Sequence, residues 1–257
     1  MSVPLTDLVA LMDQELDIAS FDDDSQNGLQ VEGPSTVARI GLAVDACLAS
    51  FAAAVAANCQ LLVVHHGMFW SKGLGPLTGA NYRRVATLLE NKLALYACHL
   101  PLDAHPTLGN NARIASILGV ADAHPFALYH GRDIGIAGSL PEPAGASALA
   151  ARLGKAITDA VGVTCTTGVV GPPDRSIKTL GIVSGGGTLA IRECVAAGLD
   201  ALVSGEGPHQ ANIDAIDNGL TLVYAGHYET ETLGVNALGG LLEQKFDLET
   251  VFLDVPH

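Results

Sequence analysis

Apolar runs alternate with helical patterns along most of the 257-residue chain. "TDLVALMDQEL" (6–16) carries apolar residues at helical spacing, with Thr6 in position to cap its amino end. "ARIGLAVDA" (38–46) reads as a strand, "LASFAAAVAANC" (48–59) as a helix and "QLLVVHH" (60–66) as a second strand. After a Gly-rich loop (71–79), "NYRRVATLLENK" is helical, "LALYACH" (93–99) is a strand, and "NNARIASILG" (110–119) is a helix closed by Gly119. Residues 120–180 are richer in Pro and Gly, with short alternating segments suited to antiparallel strands around a helix at 146–160. The strand–helix–strand pattern then returns from "IKTLGIVSGGG" onward. It continues through "LTLVYAGH" (220–227), the helix "TETLGVNALGGLLEQ" and a last strand "TVFLDV". This alternation implies an α/β fold of two lobes, with a mostly parallel sheet and right-handed crossovers.

Three of the apolar strands end alike. "LLVV" runs into His65-His66, "LALYAC" into His99 and then Asp103, and "LTLVYAG" into His227 and Glu231. One such pair of imidazoles either marks where a strand leaves the core or binds something. Three strand ends repeating His with carboxylate favour a ligand site, because open α/β sheets bind ligands outside the carboxyl ends of their strands. Adjacent side chains on an extended strand diverge, so His65 and His66 serve different ions unless the strand breaks at Gly67. His227 and Glu231 are four apart where a helix begins and share one face. Asp103, between Pro101 and Pro106, reads as part of a rigid, non-helical loop.

Three imidazoles and two carboxylates are too many for one tetrahedral zinc. Two divalent ions use them all, and the N/O donor set suits zinc, iron, manganese, cobalt or nickel. Because ligands from 65–103 and 227–231 have to meet, one lobe is expected to combine both ends of the chain. The expected boundaries are 1–122 plus 220–257 for the metal-binding lobe and 123–219 for the second.

Other features are less specific. A fourth strand, "LDALVSG", ends in Glu206-Gly-Pro-His209. Glu206, His209 and His99 are candidates for handling protons or supporting the ligands, although Glu206 also reads as an ordinary acid before a helix. "VSGGGT" (183–188) matches no phosphate-loop pattern and reads as a tight turn. "FDDDSQNGLQVEG" lacks the order of a calcium loop and reads as a loop entering the strand "LQVEG". His105, His124, His130 and His257 read as surface residues, and Phe69 and Trp70 either pack or wall a cavity.

Charge narrows the partners. With 27 acidic against 13 basic residues the chain carries −14, which argues against wrapping nucleic acid or docking on an anionic membrane. Arg83, Arg84, Lys72 and Lys92 are the cations nearest the candidate site in sequence. No apolar stretch approaches a membrane span, and the amino end lacks the pattern of a signal peptide. The five scattered cysteines form no CxxC pair and read as reduced, buried thiols of a cytoplasmic protein.

Several motifs occur together and in order: "NGLQV" (27–31), "VVHHGMFW" (63–70), "HLPLD" (99–103), "SGGG" (184–187), "SGEGPHQ" (204–210), "AGHYETE" (225–231) and the closing "FLDVP". In these the chain resembles, nearly end to end, the Nif-three-like dinuclear metal-centre proteins, often labelled GTP cyclohydrolase 1 type 2. The resemblance implies metal ligands at His65, His66, Asp103, His227 and Glu231, the same five reached from spacing, with bridging by Glu231 and by Asp103. It also implies a ring-like homohexamer of two-lobed subunits. The family's usual "HTNLD" loop is here "HLPLD", with Leu100 and Pro101 replacing Thr and Asn. The expected activity is hydrolysis of a nucleotide or related small substrate, of cyclohydrolase or phosphoesterase type. The competing reading is a metal-binding regulatory or scaffold protein without turnover.

Overall fold

The computed structural model describes residues 2–256, so His257 lies outside the described residues. The chain divides into two compact units, Met1–Leu102 with Val235–His257, and Asp103–Gly234.

In the first unit, β1 (Gly28–Val31), β2 (Arg39–Asp45), β3 (Leu61–His66) and β4 (Ala94–Ala97) form a five-stranded sheet with the chain's last strand, Glu249–Phe252. The order is last strand, β2, β3, β4, β1, and every pair is parallel except β1 with β4. The first four residues of strand "LLVVHH" are all apolar and buried, as suits a strand covered on both faces. Helices α1 (Leu5–Leu16), α2 (Leu48–Ala56) and α3 (Gly79–Glu90) belong to this unit, and Phe51 and Leu88 pack on Leu62, Val64 and Leu95. Pro4, rather than Thr6, stands at the N-cap position of α1, and no side chain caps that end. The register pairs Asp45 with His66 and Val64 with Ala97, so β2 and β3 end at one level and β4 ends two residues before it.

The second unit begins with two short helices, α4 (Leu100–Asp103), whose last residue lies in this unit, and α5 (Asn110–Leu118). Asp103 therefore sits in a helical turn and not in an extended loop. Pro101 is tolerated there because the first turn of a helix has no use for its missing N–H.

The strands of this unit are β5 (Ala121–Tyr129), β6 (Arg132–Gly145), β7 (Gly168–Val170), β8 (Ser176–Val183), β9 (Ala201–Ser204) and β10 (Thr221–Tyr224). They form one sheet in the order β5-β6-β8-β9-β10-β7. β8, β9 and β10 run parallel, and the other pairs are antiparallel, as the Pro/Gly-rich character of 120–180 leads one to expect. Helices α6 (Ala146–Val161), α7 (Ile191–Ala196) and α8 (His209–Asp217) complete the unit.

Helix α9 (His227–Phe246) starts in the second unit and continues into the first. The units part at 102/103 and 234/235, where sequence placed the joins at 122/123 and 219/220. The reason is packing: Ile114, Ala115 and Leu118 of α5 and Leu233 of α9 are buried with Leu149, Leu180, Val203 and Val223 in the core of the second unit. Among the described residues, no helix is long and apolar enough to cross a membrane. All five cysteines are free thiols, three of them buried.

Candidate metal centre

In the first unit, the ends of β3 and β4 bring three imidazoles together. The ring centroids of His65 and His66 are 4.7 Å apart, and His99 lies 5.2 Å from His65 and 5.6 Å from His66. One ring nitrogen from each falls within 4.8 Å of the others, close enough to share an ion. His65 and His66 lie on an unbroken strand, yet their rings converge, because the strand ends at His66 and the chain turns at once through Gly67. A Cβ at Gly67 would collide with the side chain of Gln30, whose carbonyl oxygen accepts from the N–H of Met68 at 2.7 Å.

Each imidazole is held through Nδ1. His65 donates to the carbonyl of Cys98 at 2.9 Å, His66 to Asp45 at 2.8 Å and His99 to Asp23 at 2.9 Å. With Nδ1 carrying the proton, a neutral ring keeps its lone pair on Nε2, which is the tautomer a metal ligand needs. Asp23 is almost wholly buried and also accepts from the N–H groups of Ser25 and Leu100 and from Asn27. Burial alone would raise its pKa, but the hydrogen bond and charge of His99, with those from Asn27 and Ser25, outweigh it and bring the carboxyl down to about 2. Trp70 stands edge-on to His99 at 5.2 Å and donates its indole N–H to the carbonyl of Gly67, so it forms a wall of the cluster.

In the second unit, β8, β9 and β10 end level with one another at Val183, Ser204 and Tyr224. After β8, Ser184 donates its hydroxyl to Asp103 at 3.0 Å, and Asn110 donates to the same carboxylate oxygen at 2.8 Å. After β10, His227 opens α9 and its Nε2 lies 3.2 Å from Oε1 of Glu231, one turn on. The Nδ1 of His227 donates to Glu206 at 2.9 Å, repeating the arrangement in the first unit. The hydrogen bond to Glu231, and then its charge and those of Glu206, push His227 up to about 9 against the effect of burial. The pair thus favours a proton between ring and carboxylate, the place a divalent cation would take if one bound there.

The turn "SGGG" fits closely against this pair. Gly185 has a φ of +57°, and a Cβ there would collide with the carboxylate of Glu231. Its N–H is taken by the hydroxyl of Thr230 at 3.0 Å. His209 begins α8, is exposed, and makes no hydrogen bond to Glu206 or His227 among the described residues.

The donors fit divalent metal by their chemistry: imidazoles of fixed tautomer, a carboxylate beside an imidazole, and backbone too close to admit a side chain. His65 and His66 are thus joined by His99 in one unit, while Asp103, His227, Glu231 and Glu206 belong to the other. Asp23 and Asp45 are not among the residues that the sequence singles out, and Trp70, open in sequence between packing and walling a cavity, stands beside the cluster. Asp45 ends the apolar strand "IGLAVD", the same signal that singled out the histidines, whereas Asp23 lies in an irregular loop with no such mark.

Relatives are found along the whole chain. A GTP cyclohydrolase 1 type 2 homolog of Deinococcus radiodurans is 41% identical over 250 residues, covering 97% of this chain and 92% of that protein. One from Archaeoglobus fulgidus is 38% identical over 98% of both. Among solved structures, TTHA1606 from Thermus thermophilus is similar with a TM-score of 0.84 at 38% identity, covering 99% of each chain. The protein ybgI, of unknown function, gives a TM-score of 0.86 at 34% identity over 99% of each. A family model spans residues 3–257, and the chain belongs to the Duf34/NIF3 (NGG1p interacting factor 3) family.

Proposed function

We propose that His65, His66, Asp103, His227 and Glu231 together hold two divalent metal ions, and that the protein is a metal-dependent hydrolase of a nucleotide or related small molecule. The observation that carries this reading is the repeated outer partner: Cys98, Asp45 and Glu206 each take the Nδ1 proton of a proposed histidine ligand. Metal-ligating histidines usually carry such a partner on the ring nitrogen that does not bind the ion, because it fixes the ring's tautomer and orientation. A pair of divalent ions supplies, when bound, a water acidic enough to attack at neutral pH and a Lewis acid for the leaving oxygen.

The chain's own residues do the rest. Asn110 and Ser184 orient the carboxylate of Asp103. Glu206 keeps the ring of His227 turned toward Glu231. His99, fixed by Asp23 beside His65 and His66, is placed to exchange a proton with a reacting group. Trp70 shields that ring on one side.

The test is metal analysis by mass spectrometry together with a panel of nucleotides and phosphodiesters, with manganese or zinc added. We expect two metals per chain, and turnover that Glu231→Gln abolishes while circular dichroism stays unchanged. Fewer than about one metal per chain at saturating supply ends the dinuclear reading. A full pair of metals with no turnover on the panel supports a metal-binding role without catalysis instead.

A further inference from the structure

Beside the imidazole cluster, and within the first unit, lies a cavity of about 360 Å³ lined by Asp45, Ala46, Cys47, His66, Gly67 and Arg84. Arg84 stands out among its lining. It projects from α3 and is half-buried, and its guanidinium makes no hydrogen bond or ion pair with any other described residue. Its Nε is shut off from solvent and has no acceptor among those residues.

The Nε of Arg39, which is also half-buried, likewise has no acceptor among those residues, but its terminal nitrogens are engaged by the carbonyl of Ala57 at 2.9 Å and by Glu249 at 2.6 Å, and those of Arg84 are not. A buried donor left unmade costs stability, and a guanidinium cannot shed its charge to avoid that cost. A residue kept in this state facing a cavity is matched to an acceptor that comes from outside.

We propose that this cavity is an anion subsite, in which Arg84 binds a phosphate group carried by the substrate. The inference rests on the reading of His66 as a metal ligand and deepens it by naming the group that anchors the substrate. His66 forms part of the cavity and part of the imidazole cluster, so an anion here lies one ring away from that cluster. The fork of Arg84 offers parallel N–H donors that match two phosphate oxygens. The amino end of α2, at Cys47, opens on the same space and adds partial positive charge. Asp45 is the one acid in the lining, its Oδ1 accepts from Nδ1 of His66, and Arg84 is the lining's one guanidinium. In a chain of net charge −14 such a site is needed to hold a phosphate against the general field.

The experiment is calorimetric titration of the full-length protein, metal-loaded and chelator-treated, with guanosine 5′-monophosphate, guanosine and inorganic phosphate, for wild type, Arg84→Gln and Arg84→Lys. Metal content is measured on the same samples. We expect the metal-loaded wild type to bind the monophosphate at least about tenfold more tightly than guanosine. Arg84→Gln loses that preference, Arg84→Lys keeps part of it, and metal content is the same in all three. Equal binding of the monophosphate by wild type and Arg84→Gln overturns the subsite, as does a wild type that gains nothing from the phosphate. Arg84-dependent binding of inorganic phosphate as tight as that of the ester overturns the assignment to substrate. A wild type that holds no metal, yet keeps the Arg84-dependent preference, separates failure of the metal reading from failure of the subsite.

Discussion

Asp23 shows how much a single carboxylate does for the candidate site. It accepts hydrogen bonds from His99, Leu100, Ser25 and Asn27, and so joins the loop before β1 to the end of β4. Its pKa in the fold, about 2, is below the ordinary 3.8. A depressed folded value means that ionised Asp23 stabilises the protein fully above the ordinary pKa, and that this contribution fades as the pH falls toward 2. The shift corresponds to about 2 kcal/mol. Asp23→Asn is therefore expected to lose about 2 kcal/mol in urea unfolding at pH 7, and about half of that deficit should be gone by pH 3. A deficit of equal size at both pH values would show that Asp23 acts by packing alone.

The elements that carry the site are strand ends and the turns that follow them, and this was the part most open to sequence reading. The strands before His65, His99 and His227 are apolar runs that stop at a polar residue, so hydrophobic patterning places their ends within a few residues. The start of α1, the turn at Asp103 and the joins between the units carry no such mark. The helical turn at Asp103 depends on a hydrogen bond to Asp23, 77 residues away along the chain, and no local pattern encodes it. The join after 102 depends on α5 packing into the core of the second unit, which the amphipathic pattern of α5 does not specify.

The turn after β8 offers a test at this scale, because two neighbouring glycines differ in their surroundings. At Gly185 an added Cβ meets the carboxylate of Glu231 at a positive φ, whereas at Gly186 nothing lies within 4 Å. Gly185→Ala should weaken metal binding at least about tenfold in competition with a chelator, since backbone strain of about 1 kcal/mol and displacement of Glu231 act together. Gly186→Ala should leave it unchanged. Equal affinity in both variants would remove Gly185 from any part in shaping the centre.

At the scale of the whole molecule, the proposed ligands come from both units: His65 and His66 from one, Asp103, His227 and Glu231 from the other. Two chain connections join the units, one within "HLPLD" just ahead of Asp103 and one within α9 just after Glu231, so the proposed ligands flank both crossing points. A ligand that binds only the folded state stabilises it by mass action, by about 2.7 kcal/mol at a hundredfold excess over its dissociation constant. If the metals draw on both ligand groups, that stabilisation has to be felt in both units. Hydrogen exchange read by mass spectrometry, with metal and with chelator, should show slower exchange on loading in two places. One is β3 with the end of β4, and the other is the turn at 184–187 with the first turns of α9. Asp103→Asn, which alters only the second group, should diminish the metal-dependent protection of β3 as well. Protection confined to β3 and β4, and unaffected by Asp103→Asn, would mean that the three imidazoles of the first unit bind metal by themselves and that the ligand set is not shared.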